Sequence, residues 1–321
     1  MVHPIESLRY RFHQRGIFHF FCKIRWKLNK WKNKYLWILN LFSFKLSVID
    51  GYGALGDTII TSTFIHNIKF NYPNVRINLI TPNASLLRCD PNICEFNNYE
   101  TFFSIIFWYQ DIRNSKDGKT NVIEPLLREL GINNFTYKAS IYLKDSEVIW
   151  AESELKNISK PIISINSKSN EDVKNWPVKN WQKLVENLCH NFTIIQLGDK
   201  NEPQLNNVFS FAGRTTVRES MALLKVADLH IGPDSFLIHA ASGVNTPSVV
   251  IFGGSRTPIN LGYQNNTNIF TSIDCAPCWI HKSDNEICQN NLKCMKKISV
   301  EAVIKAVLQS LKKNQLEDFD G

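Results

Sequence analysis

Two apolar patterns alternate along the chain. Short apolar runs read as buried strands, and apolar positions three and four residues apart read as helices. Residues 46–50 (LSVID) fit the first pattern, and residues 58–70 fit the second through Ile59, Ile60, Phe64, Ile65 and Ile68. A glycine loop, Gly51-Tyr-Gly53-Ala-Leu-Gly56-Asp57, joins them, and residues 75–81 form the next strand. Strand, turn, helix, strand predicts a βαβ unit and a parallel sheet. Residues 85–150 are less periodic; the pattern predicts further βα units there, with residues 126–130 on a helix.

Near residue 155 the alternation restarts. It predicts strands at 161–166 (PIISIN), 192–197 (FTIIQL), 229–232 and 246–252, and helices at 181–189, 217–227, 236–242 and 300–311. Two βα-repeating halves predict an α/β protein of two Rossmann-like domains facing a central cleft, at 46–155 and 156–321. The 321-residue length agrees. No apolar run approaches the roughly 18 residues of a membrane span.

Composition changes the picture only when it is split. The formal charge is +8, but residues 1–45 hold ten basic side chains and one acid, which leaves the rest near neutrality. The same segment carries Trp26, Trp31, Trp37 and six phenylalanines. Basic residues among aromatics suit the anionic headgroups of a membrane surface. A helix packed on its own domain and an RNA-binding extension use the same ingredients. The membrane reading is favoured over nucleic acid, and no cleavable signal is evident because charges run through the apolar part.

The loop Gly51-x-Gly53-x-x-Gly56 matches the dinucleotide fingerprint literally. The ribose-binding acid expected at the end of the second strand is missing, since that strand ends in Thr81-Pro82-Asn83. Asp57 at the helix start would also repel a pyrophosphate. The loop is better read as presenting Asp57 to the cleft, with a plain helix N-cap as the alternative.

In the second half, three loops sit where parallel strands end. The first contains Lys174, a candidate cation for a diphosphate or an exposed lysine. The second contains Glu202, a candidate ligand for ribose hydroxyls or a solvated acid. The third is Asp234-Ser235 at a helix start, a candidate anion site, with His239 one turn on. There the alternatives are a simple cap and a buried, satisfied histidine.

Taken together, these residues resemble glycosyltransferase family 9, the ADP-heptose:lipopolysaccharide heptosyltransferases. The resemblance runs from about residue 46 to 311. It rests on Gly56-Asp57, Lys174-Asn-Trp176-Pro177, Gly213-Arg-Thr-Thr-Val, Asp234-Ser235…His239…Gly243…Pro247 and Phe252-Gly253. It implies the GT-B fold, with acceptor on the first domain and nucleotide sugar on the second. By position it implies Asp57 as general base, Ser169 and Asn170 near the diphosphate and Lys174 on it. Glu202 would lie on the ribose, Thr215 near the base pocket, and Asp234, Ser235 and His239 at the donor-binding helix. The implied reaction is direct inverting transfer, without a metal cofactor, from a nucleotide-sugar donor, ADP-heptose by family, to a glycolipid acceptor of the lipopolysaccharide-core type. A protein acceptor and a degenerate sugar-nucleotide-binding protein are the alternatives. The implied location is cytoplasmic, at the inner face of the cytoplasmic membrane. Two departures stand out. Phe236 replaces the usual glycine, where a ring would hinder backbone approach to the donor, and Asn170 replaces a hydroxyl.

Cys275, Cys278, Cys288 and Cys294 fall within twenty residues as C-x₂-C-x₉-C-x₅-C, a spacing that also resembles the family. Four thiolates suit a structural zinc or iron away from the chemistry. Disulfides or unlinked thiols are the alternatives.

Overall fold

The structure is a computed structural model describing residues 32–98, 103–281 and 286–317. Most of the basic aromatic segment, residues 1–31, lies outside the described residues.

Helix α1 (Lys32–Leu41) leads into β1 (Lys45–Asp50), α2 (Leu55–Asn71) and β2 (Arg76–Ile80). Then come β3 (Glu95–Phe96), β4 (Phe103–Phe107), α3 (Gln110–Asn114) and α4 (Glu124–Glu129). These strands form a parallel sheet in the order β3-β2-β1-β4.

Helix α5 (Asp145–Glu154) precedes the second lobe: β5 (Ile162–Ile165), α6 (Val178–Leu188), β6 (Thr193–Gln196), β7 (Phe209–Ser210) and α7 (Val217–Val226). It continues with β8 (Leu229–Pro233), α8 (Phe236–Gly243), β9 (Ser248–Phe252), α9 (Pro258–Leu261) and β10 (Asn266–Phe270). Helices α10 (Lys293–Lys296) and α11 (Val300–Glu317) complete it. Its six strands are also parallel, in the order β10-β9-β8-β5-β6-β7. The α/β, two-sheet architecture is the one expected.

Side chains of the second sheet alternate between two cores, as the period of two demands. Ile163, Ile165, Val249 and Ile251 join α6 and α11 on one face. Ile162, Ile195, Val250 and Phe252 face the other way, into a core continuous with the first lobe. The strands are therefore apolar on both sides, as a covered parallel sheet requires.

Two expectations change. Residues 85–150 do not repeat βα units. After α4 the chain crosses between the lobes without regular structure, tied by Thr136 to Asn67 through paired amide bonds of 2.9 Å. Further on, Ile141 N–H bonds the Gly243 carbonyl at 2.7 Å. Helix α2 also starts earlier than residue 58, with Ala54 at its N-cap, which puts Gly56 and Asp57 in the first turn.

Candidate active site

Asp50 organises the glycine loop. Its carboxylate accepts from Gly53 N–H at 2.8 Å, Thr58 Oγ1 at 2.6 Å and Thr81 Oγ1 at 2.9 Å. Gly53 turns with φ +68°, a conformation that favours glycine. One loop amide that would greet a phosphate is therefore spent on Asp50, consistent with a loop that presents Asp57 rather than binding a dinucleotide.

Asp57 does not cap the helix. Its Oδ1 accepts from the Tyr109 hydroxyl at 2.5 Å, delivered from just beyond β4, the strand beside β1. Burial lifts the Asp57 carboxyl to about 6, against the pull of Tyr109, with Asp50 raising it further and Arg256 and Lys174 lowering it. Tyr52 packs against Tyr109 at 4.5 Å between ring centres and stacks on Trp108 at the same distance. An aromatic wall thus excludes water from one side of the carboxylate.

The second lobe faces it with buried charge. Lys174 Nζ lies 2.9 Å from Asp234 Oδ2, and both groups are buried. Burial alone would raise the Asp234 carboxyl, but Lys174 and Arg256 hold it at about 2. His239 Nδ1 meets the Tyr263 hydroxyl at 2.9 Å, and burial pushes its imidazole down to about 4, so it is neutral. Ser235 occupies the N-cap of α8 without a capping bond and accepts from Asn166 Nδ2 at 3.2 Å.

The lobes meet at Gly56. A Cβ there would stand 3.0 Å from His239 Cδ2 and 3.7 Å from the Phe236 Cα. Helices α2 and α8 pack on each other at this point. Phe236 itself is accommodated, its ring packed against the shared core.

Glu202 lines a second region of the same sheet edge. It accepts from Ser167 Oγ at 2.7 Å and Ser167 N–H at 3.1 Å, and burial lifts its carboxyl to about 7. Thr215, in the turn before α7, pairs its hydroxyl with Ser220 at 2.8 Å. Ser169 is buried and its backbone N–H bonds Asn175 at 2.6 Å, whereas Asn170 is exposed, outside this buried set.

The candidates thus divide: Asp57, Lys174, Asp234 and His239 converge between the lobes, and Glu202 sits with Ser167 at one edge. Reading the sequence missed Asp50, Tyr109, Arg256 and Trp279. Arg256 follows a glycine pair at the end of β9, the place corresponding to Asp234 after β8; that position was its only signal.

Cys275, Cys278, Cys288 and Cys294 line one cavity of about 120 Å³. Burial raises the Cys278 thiol, with the other three cysteines adding to it. Yet among the described residues no three metal-ligating side chains converge closely enough to hold an ion. A site apart from the candidate residues was expected, but the cavity lies beside them. Val173 and Ser255 line it, next in sequence to Lys174 and Arg256. Cys278 N–H bonds the Gly254 carbonyl at 2.7 Å, and Trp279 N–H bonds that of Ser255 at 2.9 Å.

No curated protein matches the chain by sequence. The fold is shared with solved structures of low identity. The glycosyl transferase family 9 protein from Veillonella parvula DSM 2008 has 16% identity and a TM-score of 0.67, covering 84% of this chain and 97% of that one. E. coli ADP-heptose lps heptosyltransferase II has 14% identity and a TM-score of 0.60, over 84% and 99%. The iron-containing dodecameric glycosyltransferase TibC from enterotoxigenic E. coli H10407 has 17% identity and a TM-score of 0.67, over 84% and 76%. The profile of glycosyltransferase family 9 (heptosyltransferase) matches residues 126–289, just over half the chain. With Rossmann-like lobes meeting at buried charge, and with that match, the chain belongs to glycosyltransferase family 9 and is a glycosyltransferase that uses a nucleotide-sugar donor.

Proposed function

We propose that this enzyme transfers heptose from ADP-heptose to a glycolipid of the lipopolysaccharide-core type, with inversion at the anomeric carbon. The observation that carries the reading is the meeting of Asp57 from one lobe with Lys174 and Asp234 from the other. Asp57, with its carboxyl near 6, takes the proton of the acceptor hydroxyl. The acceptor oxygen attacks the anomeric carbon as the bond to the diphosphate oxygen breaks. The electron pair leaves on the nucleoside diphosphate, whose charge is offset by Lys174 and the free N–H groups of α8. Asp234 orients Lys174 for this, Glu202 accepts from the nucleoside ribose, and Ser169, Asn170, Thr215, Ser235 and His239 shape the donor site. ADP-heptose is the donor bound in a TibC structure, and E. coli heptosyltransferase II is named for it.

No step of this reaction runs through a metal. A zinc or iron bound by Cys275, Cys278, Cys288 and Cys294 would have a structural role, beside the Gly253–Arg256 loop. We place the enzyme at an anionic membrane surface, supported by α1 and its turn, where Trp37 and Phe42 are each 61% exposed. Among the described residues no helix is long and apolar enough to cross a membrane.

The test incubates purified enzyme with ADP-heptose and a heptose-deficient core glycolipid, with mass spectrometry of the lipid product. Wild type is expected to add heptose and Asp57→Asn to add none while still binding donor. Turnover by Asp57→Asn at the wild-type rate removes the base assignment. Turnover with a protein acceptor and none with glycolipid moves the acceptor class.

A further inference from the structure

Lys174 and Asp234 alone would make a balanced buried pair. Arg256 upsets that balance. It is 4% exposed, and its Nη1 stands 3.9 Å from Asp234 Oδ2, the oxygen that already holds Lys174. Two buried cations therefore share one carboxylate. Asp57 across the cleft and Glu171 near Lys174 act on these cations only through space, and the other groups in contact with Arg256 are uncharged. Nη1 also donates to Ser255 Oγ at 3.1 Å, and the guanidinium lies 5.0 Å from the Trp279 ring centre. Nη2 donates to His281 Nε2 at 2.5 Å, so that nitrogen is an acceptor. The other ring nitrogen, Nδ1, then carries the proton and faces Glu171 Oε1 at 3.3 Å, which leaves the imidazole neutral. Arg256 Nε is buried with no hydrogen-bond partner.

A buried guanidinium with surplus charge and an unused N–H is costly unless an anion completes it. Its position says which anion. Arg256 lies just past β9, beside the end of β8, so it shares the carboxyl edge of the sheet with Asp234 and Lys174. That edge is where ligands of open α/β sheets bind.

We propose that Arg256 is a second diphosphate-binding cation of the donor site, a planar fork that grips the diphosphate beside the Lys174 ammonium. This inference rests on the donor-site reading above. When the bond from the anomeric carbon breaks, its electron pair passes to the diphosphate oxygen, and Arg256 shares that charge with Lys174. The guanidinium geometry suits two phosphate oxygens at once, which a lysine cannot match.

The experiment titrates the full chain with adenosine, AMP, ADP, UDP and GDP by calorimetry, for wild type, Arg256→Gln and Arg256→Lys. Arg256→Gln is expected to lose about 10- to 100-fold in ADP affinity with adenosine affinity unchanged. Arg256→Lys is expected to recover part of that loss, since charge returns without the fork. Should Arg256→Gln fail to fold, judged by near-ultraviolet circular dichroism, the lysine variant carries the test through weakened ADP and unaltered adenosine. Equal losses for ADP and adenosine, or none for either, overturn the proposal and make Arg256 a packing residue. If wild type binds no nucleoside diphosphate more tightly than its nucleoside, the donor-site reading itself falls, and this inference with it.

Discussion

Tyr109 donates its hydroxyl proton to Asp57 Oδ1, and the two residues, 52 apart in sequence, are held together by the pairing of β1 with β4. The bond favours the carboxylate form, against the burial that lifts Asp57 to about 6. Transfer should therefore rise with pH through an inflection near 6 in kcat/KM. Tyr109→Phe removes a donor to the charged form, so the inflection should move upward. A profile identical to wild type would show that Tyr109 does not tune this carboxylate.

The same shift has a stability consequence. The folded Asp57 binds its proton more tightly than an unfolded aspartate near 3.8, so its contribution is full below that pH and is lost as pH rises through about 6. Asp57→Asn should raise Tm more at pH 7.5 than at pH 5, measured by thermal melts. A gain independent of pH would assign the effect to something other than charge.

Gly198 turns with φ +138°, and a Cβ there would run into the Glu202 side chain. Gly198→Ala should cost about 1–3 kcal/mol by denaturant unfolding. It should also weaken nucleoside binding, because Glu202 must move. Retained adenosine affinity in a folded Gly198→Ala would separate Glu202 from the ribose.

Arg218 of α7 clamps the linker. Its Nε and Nη2 engage both carboxylate oxygens of Glu147 at 2.5 and 2.6 Å, and its other bonds reach the carbonyls of Leu86 and Tyr142 at 2.7 and 2.9 Å. One side chain thus ties the second lobe to α5 and to the first lobe. Arg218→Ala should cost about 2–4 kcal/mol in unfolding free energy, and Arg218→Lys should restore little of it. Full rescue by lysine would reduce the clamp to simple charge.

Trp37 and Phe42 project from α1 and the turn after it, while Leu36 and Leu39 are buried. The helix is therefore anchored on one side and apolar outward on the other. Replacing Trp37 and Phe42 by serine should lower partition onto anionic vesicles in flotation assays, leaving unfolding unchanged. Unaltered partition would place any attachment elsewhere.

Much of the fold was legible because its strands are apolar runs closed by Gly, Pro or Asn. LSVID, PIISIN and FTIIQL read directly as β1, β5 and β6. Strands β3 and β7 are two residues each, too short for any period. β10 reads NTNIF and is half-buried at a sheet edge, so no apolar signal marks it. At the site, Asp57, Lys174 and Asp234 stood out through position at element ends, but their partners did not. Tyr109, Arg256 and Trp279 are ordinary loop residues in sequence. Tyr109 and Arg256 come into place because neighbouring strands end side by side, β4 beside β1 and β9 beside β8, and Trp279 because its loop is tied to Ser255. The second residue after a glycine at a strand's end, Asp234 after Gly232 and Arg256 after Gly254, is the transferable clue.

Lys174 and Arg256 belong to one lobe, yet both draw down the proton affinity of Asp57 on the other. If a donor's diphosphate takes up those two positive charges as proposed, the pull on Asp57 relaxes and its proton affinity climbs. In that proposal the acceptor hydroxyl would meet a stronger base with donor aboard than in the empty cleft. In the proposed reaction, loading the donor would thus tune the base that meets the acceptor.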